Sequence, residues 1–166
     1  LAARAGVRPS LSEPKLYCET NINGTLNLLE LARDHKVPQF VFGSSSSVYG
    51  INSKLPFAEE DRIFQPISPY AATKAAGELL CHTYSHLFGF RTVCLRFFTV
   101  YGPWTRPDMA AYIFMKAIAE GKPIDLFNEG KMIRDFTYVS DVVNSISLLI
   151  EKTQNADKPT HQIFNI

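Results

Sequence analysis

The stretch QFVFGSSSSVYG (39–50) decides how the rest of the chain reads. Phe40, Val41 and Phe42 follow Pro38 as a buried strand would, and the run ends in Gly43 and four serines. Residues 51–67, punctuated by Pro56 and Pro66, read as a loop. SPYAATKAAGELLCHTYSHLFG (68–89) then reads as a helix, with Ser68 as N-cap, Pro69 in the first turn and Gly89 as the stop. RTVCLRFFTVYG (91–102) returns to strand composition. Strand, long helix and strand in that order make a βαβ unit, whose strands run parallel with a right-handed crossover.

Outward from this unit the alternation continues. On the N-terminal side, NINGTLNLLELARDH (21–35) carries Leu26, Leu29 and Ala32 at the spacing of an amphipathic helix. On the C-terminal side the pattern predicts a helix over 109–120 and short strands at IDLF (124–127) and RDFTYV (134–139). A helix opening near Asp141 and a last strand, HQIFNI (161–166), complete it. Such alternation argues for an α/β fold with a doubly wound parallel sheet. No internal repeat, low-complexity tract or flexible linker interrupts it.

Composition narrows the function classes. With 166 residues the chain can bury a hydrophobic core, and 46% apolar with 20% charged residues is an ordinary globular balance. A net charge of +1 offers no electrostatic case for nucleic acid or an anionic membrane. No apolar run approaches the roughly 18 residues of a membrane span. No signal peptide opens the sequence, and Leu1 followed by AARAGVR reads as an internal start, with more chain expected upstream. Cys18, Cys81 and Cys94 are scattered, without a C-x-x-C pair, and are expected to be reduced core thiols of a cytosolic protein.

The chemistry sits around the serines. Ligands of open α/β sheets bind beyond the carboxyl ends of the strands, where Ser44 to Ser47 can present hydroxyls to a substrate. Tyr70 and Lys74 share one helix face. A tyrosine hydroxyl ordinarily titrates near pH 10, and lowering that by ~3 units takes about 4 kcal/mol of differential stabilisation. An adjacent lysine ammonium and a cationic cofactor ring would supply it. Serine, tyrosine and lysine together can then move a proton on and off a substrate hydroxyl while a hydride moves elsewhere. His82 and His86 have the i, i+4 spacing of metal ligands, yet they lie about 80° to 120° around the helix from Lys74. With no third ligand evident, they read as surface or subunit-contact residues, and no metal site is expected.

Taken singly, each of these motifs recurs by chance; their order does not. GSSSSVYG, then a proline-containing loop, SPYAATKAAGE and LRFFTVYGP resemble the extended short-chain dehydrogenase/reductases of the nucleotide-sugar epimerase and dehydratase group. The resemblance runs over the whole chain but covers only the middle and later part of the family pattern. The glycine-rich turn G-x-x-G-x-x-G, which holds a dinucleotide pyrophosphate at a helix N-terminus, has no counterpart here. The resemblance therefore implies a Rossmann-like sheet. Residues 1–102 would be the later part of the NAD-binding domain. Residues 103–166 would be a nucleotide-sugar-binding part interleaved with strands returning to the main domain.

By that resemblance Tyr70 is the catalytic acid/base, Lys74 lowers its pKa and meets the nicotinamide ribose of NAD, and Ser45 is the triad hydroxyl. LAARAGVR resembles the segment lining the dinucleotide, so Ala2 and Ala3 are expected at the cofactor. Thr20, with Asn21 beside it, is expected there too, as is the backbone of Phe98. Family dehydratases and UDP-glucuronate decarboxylases carry acidic residues where this chain has Ser46 and Ser47. Neutral hydroxyls there suit a sugar carboxylate, which acids would repel. Thr99 adds a hydroxyl where UDP-galactose epimerases carry Asn. With YGPWTRPDMA (101–110) and GKMIRDFTYVSDVV (130–143), this is similar to the UDP-glucuronate 4-epimerases, although Thr105 stands where Gly is expected. Arg106 and Arg134 are expected to hold the diphosphate or uridine of a UDP-sugar, since guanidinium geometry suits phosphate. Asp135 and Asp141 read as a turn and a helix cap. The resemblance also implies a homodimer built from the helices at 21–35 and 70–88. The rival readings are UDP-galactose 4-epimerase, UDP-glucuronate decarboxylase and a non-catalytic nucleotide-sugar-binding protein.

Overall fold

The structure, a computed structural model, describes residues 2–154 and 160–166. Short helices α1 (Val7–Ser12) and α2 (Pro14–Tyr17) lead through a π-helical turn (Cys18–Asn23) into α3 (Gly24–Asp34). The backbone stays helical from Pro14 onward, upstream of the boundary that the apolar spacing predicts. Pro14 at the first position is pre-set for a helix, and the wider π-turn breaks the 3.6-residue period by which the sequence announces one.

Strand β1 (Gln39–Ser45) runs into a 3₁₀ turn, Ser46–Tyr49. Helix α4 (Pro69–Phe88) has the termini that its sequence specifies. Ser68 Oγ accepts a hydrogen bond from Ala71 N at 3.1 Å, Pro69 opens the helix, and Gly89 closes it in the left-handed conformation at φ 71°. β2 (Arg91–Phe97) follows and pairs parallel with β1, Gln39 opposite Arg91 and Ser45 opposite Phe97. The apolar run 91–102 is not one strand. It divides at Phe98, and β3 (Thr99–Tyr101) belongs to a different sheet.

Helix α5 (Ala110–Ala119), a 3₁₀ turn (Phe127–Gly130), β4 (Phe136–Tyr138), α6 (Val139–Gln154) and β5 (His161–Asn165) complete the chain. The expected strand at 124–127 does not form: no residue described there is in a ladder, and the 3₁₀ turn begins at Phe127. A short apolar run carries no periodicity that separates strand from irregular chain, and only a partner makes it a strand. Asp141 lies inside the first turn of α6, two residues after its start, rather than at the cap, and its carboxylate still faces the positive end of the helix dipole.

Two compact units result. One comprises the residues up to Phe97 together with Leu148–Ile166, the other Phe98–Ser147. The first holds a parallel sheet of order β1-β2-β5, and the second a parallel β3–β4 pair, with Thr99 opposite Phe136. The architecture is α/β, as the alternation implies.

The core of the first unit gathers Leu29 and Ala32 of α3, Phe42 of β1, Cys81 and Tyr84 of α4, and Phe90 and Cys94 at β2. Cys81 and Cys94 are thus free core thiols, but Cys18 is exposed on the π-turn, contrary to the expectation for all three. Among the described residues no helix is long and apolar enough to cross a membrane, and no group of three His, Cys, Asp or Glu residues could hold a metal ion.

Helix α4 lies so close to β1 that a Cβ at Gly77 would stand 2.3 Å from Phe42 Cζ. Gly77→Ala is therefore expected to destabilise the protein despite alanine's better helix propensity. Overpacking of about 1–3 kcal/mol outweighs a gain of at most ~1 kcal/mol. Urea unfolding of the variant beside wild type measures the difference, and equal midpoints would contradict the close approach.

Candidate active site

The four serines do not share one fate. Ser44 is buried and donates its hydroxyl to Glu78 Oε1, so it faces the core rather than a ligand. Ser45 ends β1 and caps the 3₁₀ turn. Its Oγ accepts from Ser47 N at 3.2 Å and donates to Ser47 Oγ at 3.1 Å. Ser46 and Ser47 are half-buried. The alternation of a strand puts Ser44 and Ser45 on opposite faces, and the turn then brings Ser47 back over Ser45.

Tyr70 and Lys74 sit one turn apart on α4. Lys74 is only 6% exposed, and its Nζ donates to Gly43 O at 2.7 Å, which places the ammonium just ahead of Ser45 on β1. Its Nζ also lies 5.1 Å from the Phe42 ring centroid and 5.9 Å from that of Tyr70. Burial draws the Lys74 pKa down to about 8, so the side chain still carries its charge at neutral pH. Tyr17, almost wholly buried, meets the Tyr70 ring edge-on with centroids 6.2 Å apart.

The N-terminal segment is tied to the same helix through the π-turn. Asn21 Nδ2 donates to Arg4 O and to Thr73 Oγ1, both at 3.0 Å, while its Oδ1 accepts from Arg4 N at 2.8 Å. Thr73 Oγ1 donates in turn to Tyr70 O at 2.8 Å, and Tyr17 Oη donates to Ala5 O at 2.8 Å. Ala2 and Ala3 are exposed beside this anchored backbone, and Thr20 is half-buried in the π-turn. Asn21 lies on the same buried side as Thr25, Leu29 and Ala32 of the helix that follows.

Phe98, Thr99, Arg106 and Arg134 belong to the second unit. Phe98 O accepts from Val100 N at 3.1 Å, and Thr99 N donates to Asp135 O at 3.2 Å, which gives Asp135 its place at the sheet end. Arg106 is exposed and forks onto Asp108, Nε to Oδ1 and Nη2 to Oδ2, each at 3.0 Å. Arg134 is exposed, with Nη1 donating to Ile133 O at 2.9 Å. His82 is exposed on α4 and meets His161 edge-on at 5.2 Å, in keeping with a surface position.

Sequence reasoning missed a buried polar group in the first unit. Arg96, at the end of β2, pairs with Glu78 of α4 at 2.8 Å, with both side chains at 3% exposure or less. A charge inside the apolar run LRFF and a carboxylate one turn after Lys74 were its visible signals.

Lys74 also allows a test of the geometry. Below pH 8 it is charged in the folded and unfolded chain alike, and its burial costs in full. Between about 8 and the ordinary lysine value the unfolded chain binds more protons, so stability rises with pH. Lys74→Met is expected to be more stable than wild type at pH 7, by up to roughly 3 kcal/mol. The advantage should shrink steadily above pH 8. Denaturant unfolding at pH 7 and pH 9.5 reads this directly, and an unstabilised variant at pH 7 would contradict the burial.

A family model described as "NAD dependent epimerase/dehydratase family" matches residues 1–166. Protein CapI of Staphylococcus aureus is 52% identical over 158 residues, covering 95% of this chain and 47% of that protein. A probable UDP-glucuronate 4-epimerase of Rhizobium meliloti is 53% identical over 146 residues, covering 88% of this chain and 43% of that protein. The crystal structure of UDP-glucuronic acid 4-epimerase from Bacillus cereus, in complex with UDP-glucuronic acid and NAD, superposes with a TM-score of 0.89 at 40% identity. It covers 100% of this chain and 52% of that one. The chain spans about half the length of the curated relatives it matches. The chain thus belongs to the NAD-dependent epimerase/dehydratase family.

Proposed function

We propose that this protein catalyses NAD-dependent epimerisation at C4 of UDP-glucuronate, giving UDP-galacturonate through a 4-keto sugar. The observation that carries the reading is the seating of Lys74 on Gly43 O, beside the Ser45 turn and one helical turn from Tyr70. The relatives and the Bacillus cereus complex support the substrate. The residues present fit the cofactor. An ammonium has three donors, and the one spent on Gly43 O leaves capacity for ribose hydroxyls. Ala2 and Ala3 carry no bulk to keep a dinucleotide from the backbone that Asn21 anchors. When bound, NAD supplies the two-electron acceptor and donor at C4.

The chain's own residues handle the proton and the grip. Tyr70 takes the proton from the sugar 4-hydroxyl and returns it, with Ser45 bridging to the same oxygen. The Lys74 charge favours the phenolate form of Tyr70. Ser46, Ser47 and Thr99 hold the sugar carboxylate, and a gripped carboxylate resists departure as CO₂ from the β-keto acid. Arg106 exchanges Asp108 for the substrate diphosphate, one pair of acceptor oxygens for another, and Arg134 takes the nucleotide end. The Phe98 backbone meets the nicotinamide end. In this reading residues 1–102 are the later part of the NAD-binding domain with the catalytic residues, and 103–166 a nucleotide-sugar-binding part interleaved with strands that return to the main domain.

The protein is further proposed to be a cytosolic homodimer. Leu28 and Leu31 on α3 and Leu79 and Leu87 on α4 are each more than half exposed, and a second copy presenting the same faces would cover them.

The first experiment gives the natural polypeptide NAD with either UDP-glucuronate or UDP-galactose and reads the sugars by NMR. UDP-galacturonate without UDP-pentose is expected. UDP-pentose would transfer the assignment to a decarboxylase, and turnover of UDP-galactose alone to the galactose enzymes. Tyr70→Phe is expected to lower kcat by about 10²–10⁴-fold. Thr99→Ala should weaken binding or release UDP-pentose as a by-product, and a variant doing neither would remove Thr99 from the carboxylate grip. Leu79→Asp with Leu87→Asp should convert the dimer to monomer by light scattering. An unchanged mass would place the subunit contact elsewhere.

A further inference from the structure

Glu78 and Arg96 are each 2% exposed and meet as a two-point fork, Nε to Oε1 at 3.0 Å and Nη2 to Oε2 at 2.8 Å. What else they touch distinguishes them from an isolated ion pair. Ser44, adjacent to Ser45, donates to the same Oε1. Arg96 Nη1 donates to Tyr49 Oη at 2.9 Å, at the far end of the serine turn, and to Glu59 O at 3.1 Å, in the loop before α4. Tyr49 Oη donates onward to Asn165 Oδ1 at 2.7 Å, at the end of β5, and the Tyr49 ring stacks on Phe57 at 4.5 Å. One guanidinium and one carboxylate therefore join α4, both ends of the Ser45–Tyr49 segment, the loop and two strand ends.

Stability is a poor reason for keeping such a pair. Desolvating two charges costs so much that well-packed apolar replacements are often neutral or stabilising. Planar bidentate geometry, by contrast, fixes position and angle at once. We infer that Glu78 and Arg96 are positioning residues, which hold the Ser45 turn in register with Tyr70 and Lys74 through Ser44 and Tyr49. The inference rests on the epimerase reading above and adds to it two residues that need not touch substrate.

The test replaces the whole cluster by apolar groups in the complete polypeptide, as Ser44→Ala/Glu78→Leu/Arg96→Met, so that no buried charge is left unpaired. The variant is expected to keep or raise its Tm and its KM for UDP-glucuronate, while kcat falls by about 100-fold, the cost of an ångström-scale misplacement. A kcat within about threefold of wild type in the folded variant would overturn the inference. Should the triple variant fail to fold, Ser44→Ala alone decides. It removes one link to the β1 end and should lower kcat by about tenfold, the worth of one well-placed hydrogen bond, at nearly unchanged Tm. Wild-type kcat in that variant would overturn the inference equally.

Hydrogen exchange separates this from failure of the substrate reading. If wild type does not turn over UDP-glucuronate, the epimerase proposal falls, and amide exchange still reads positioning. Faster exchange confined to residues 43–49 and the first turns of α4 is expected in the triple variant. Exchange unchanged there, or raised uniformly over the fold, would refute the inference.

Discussion

Helix α4 can lie on β1 only because position 77 has no side chain, for a Cβ there would enter the Phe42 ring. That approach brings the helix backbone near enough for Lys74 to reach Gly43 O, and it strips water from the ammonium on the way. A lysine on a more distant helix would stay hydrated and keep its ordinary basicity. Here burial holds it at about 8, charged but poorly solvated, a state in which it attracts a phenolate or a ribose hydroxyl more strongly. The aromatic ring that demands the glycine also faces the ammonium, 5.1 Å from its centroid.

Such packing would be costly if it orphaned polar groups. Instead, the buried polar atoms around α4 are passed from partner to partner. Ser44 goes to Glu78, Glu78 to Arg96, and Arg96 to Tyr49 and the Glu59 carbonyl. On the other flank, Thr73 links Tyr70 O to Asn21, and Asn21 holds the Arg4 backbone. Tyr70 and Lys74 belong to the reaction proposed above, whereas Thr73, Gly77 and Glu78 make the contacts that tie the helix to its surroundings.

Among the serines the division of labour follows from strand geometry. A run of four identical residues looks uniform on paper, yet the strand turns Ser44 onto Glu78 and leaves Ser45, also buried, at its end as the cap of the next turn. The turn beyond it then folds Ser47 over Ser45, so that one hydroxyl is presented with its neighbour as partner.

Local chemistry determined what the sequence by itself made legible. Ser68, Pro69 and Gly89 bound α4 because caps and stops act within one turn, and Tyr70 and Lys74 share a face because helical spacing allows nothing else. β1 follows from its apolar run, and the parallel pairing with β2 from the length of the crossover. Tertiary structure decided the rest, wherever the deciding partner is remote in sequence. The run 91–102 divides at Phe98 because β3 pairs with β4, and 124–127 forms no strand because no partner strand among the described residues meets it. Cys18 is exposed because the π-turn carries it outward, and Ser44 faces inward because Glu78 awaits it. Arg96 reads as an intruder in an apolar strand until the fold brings Glu78, Tyr49 and Glu59 around it. The free energy of a buried charge depends on those neighbours, and a linear sequence does not list them.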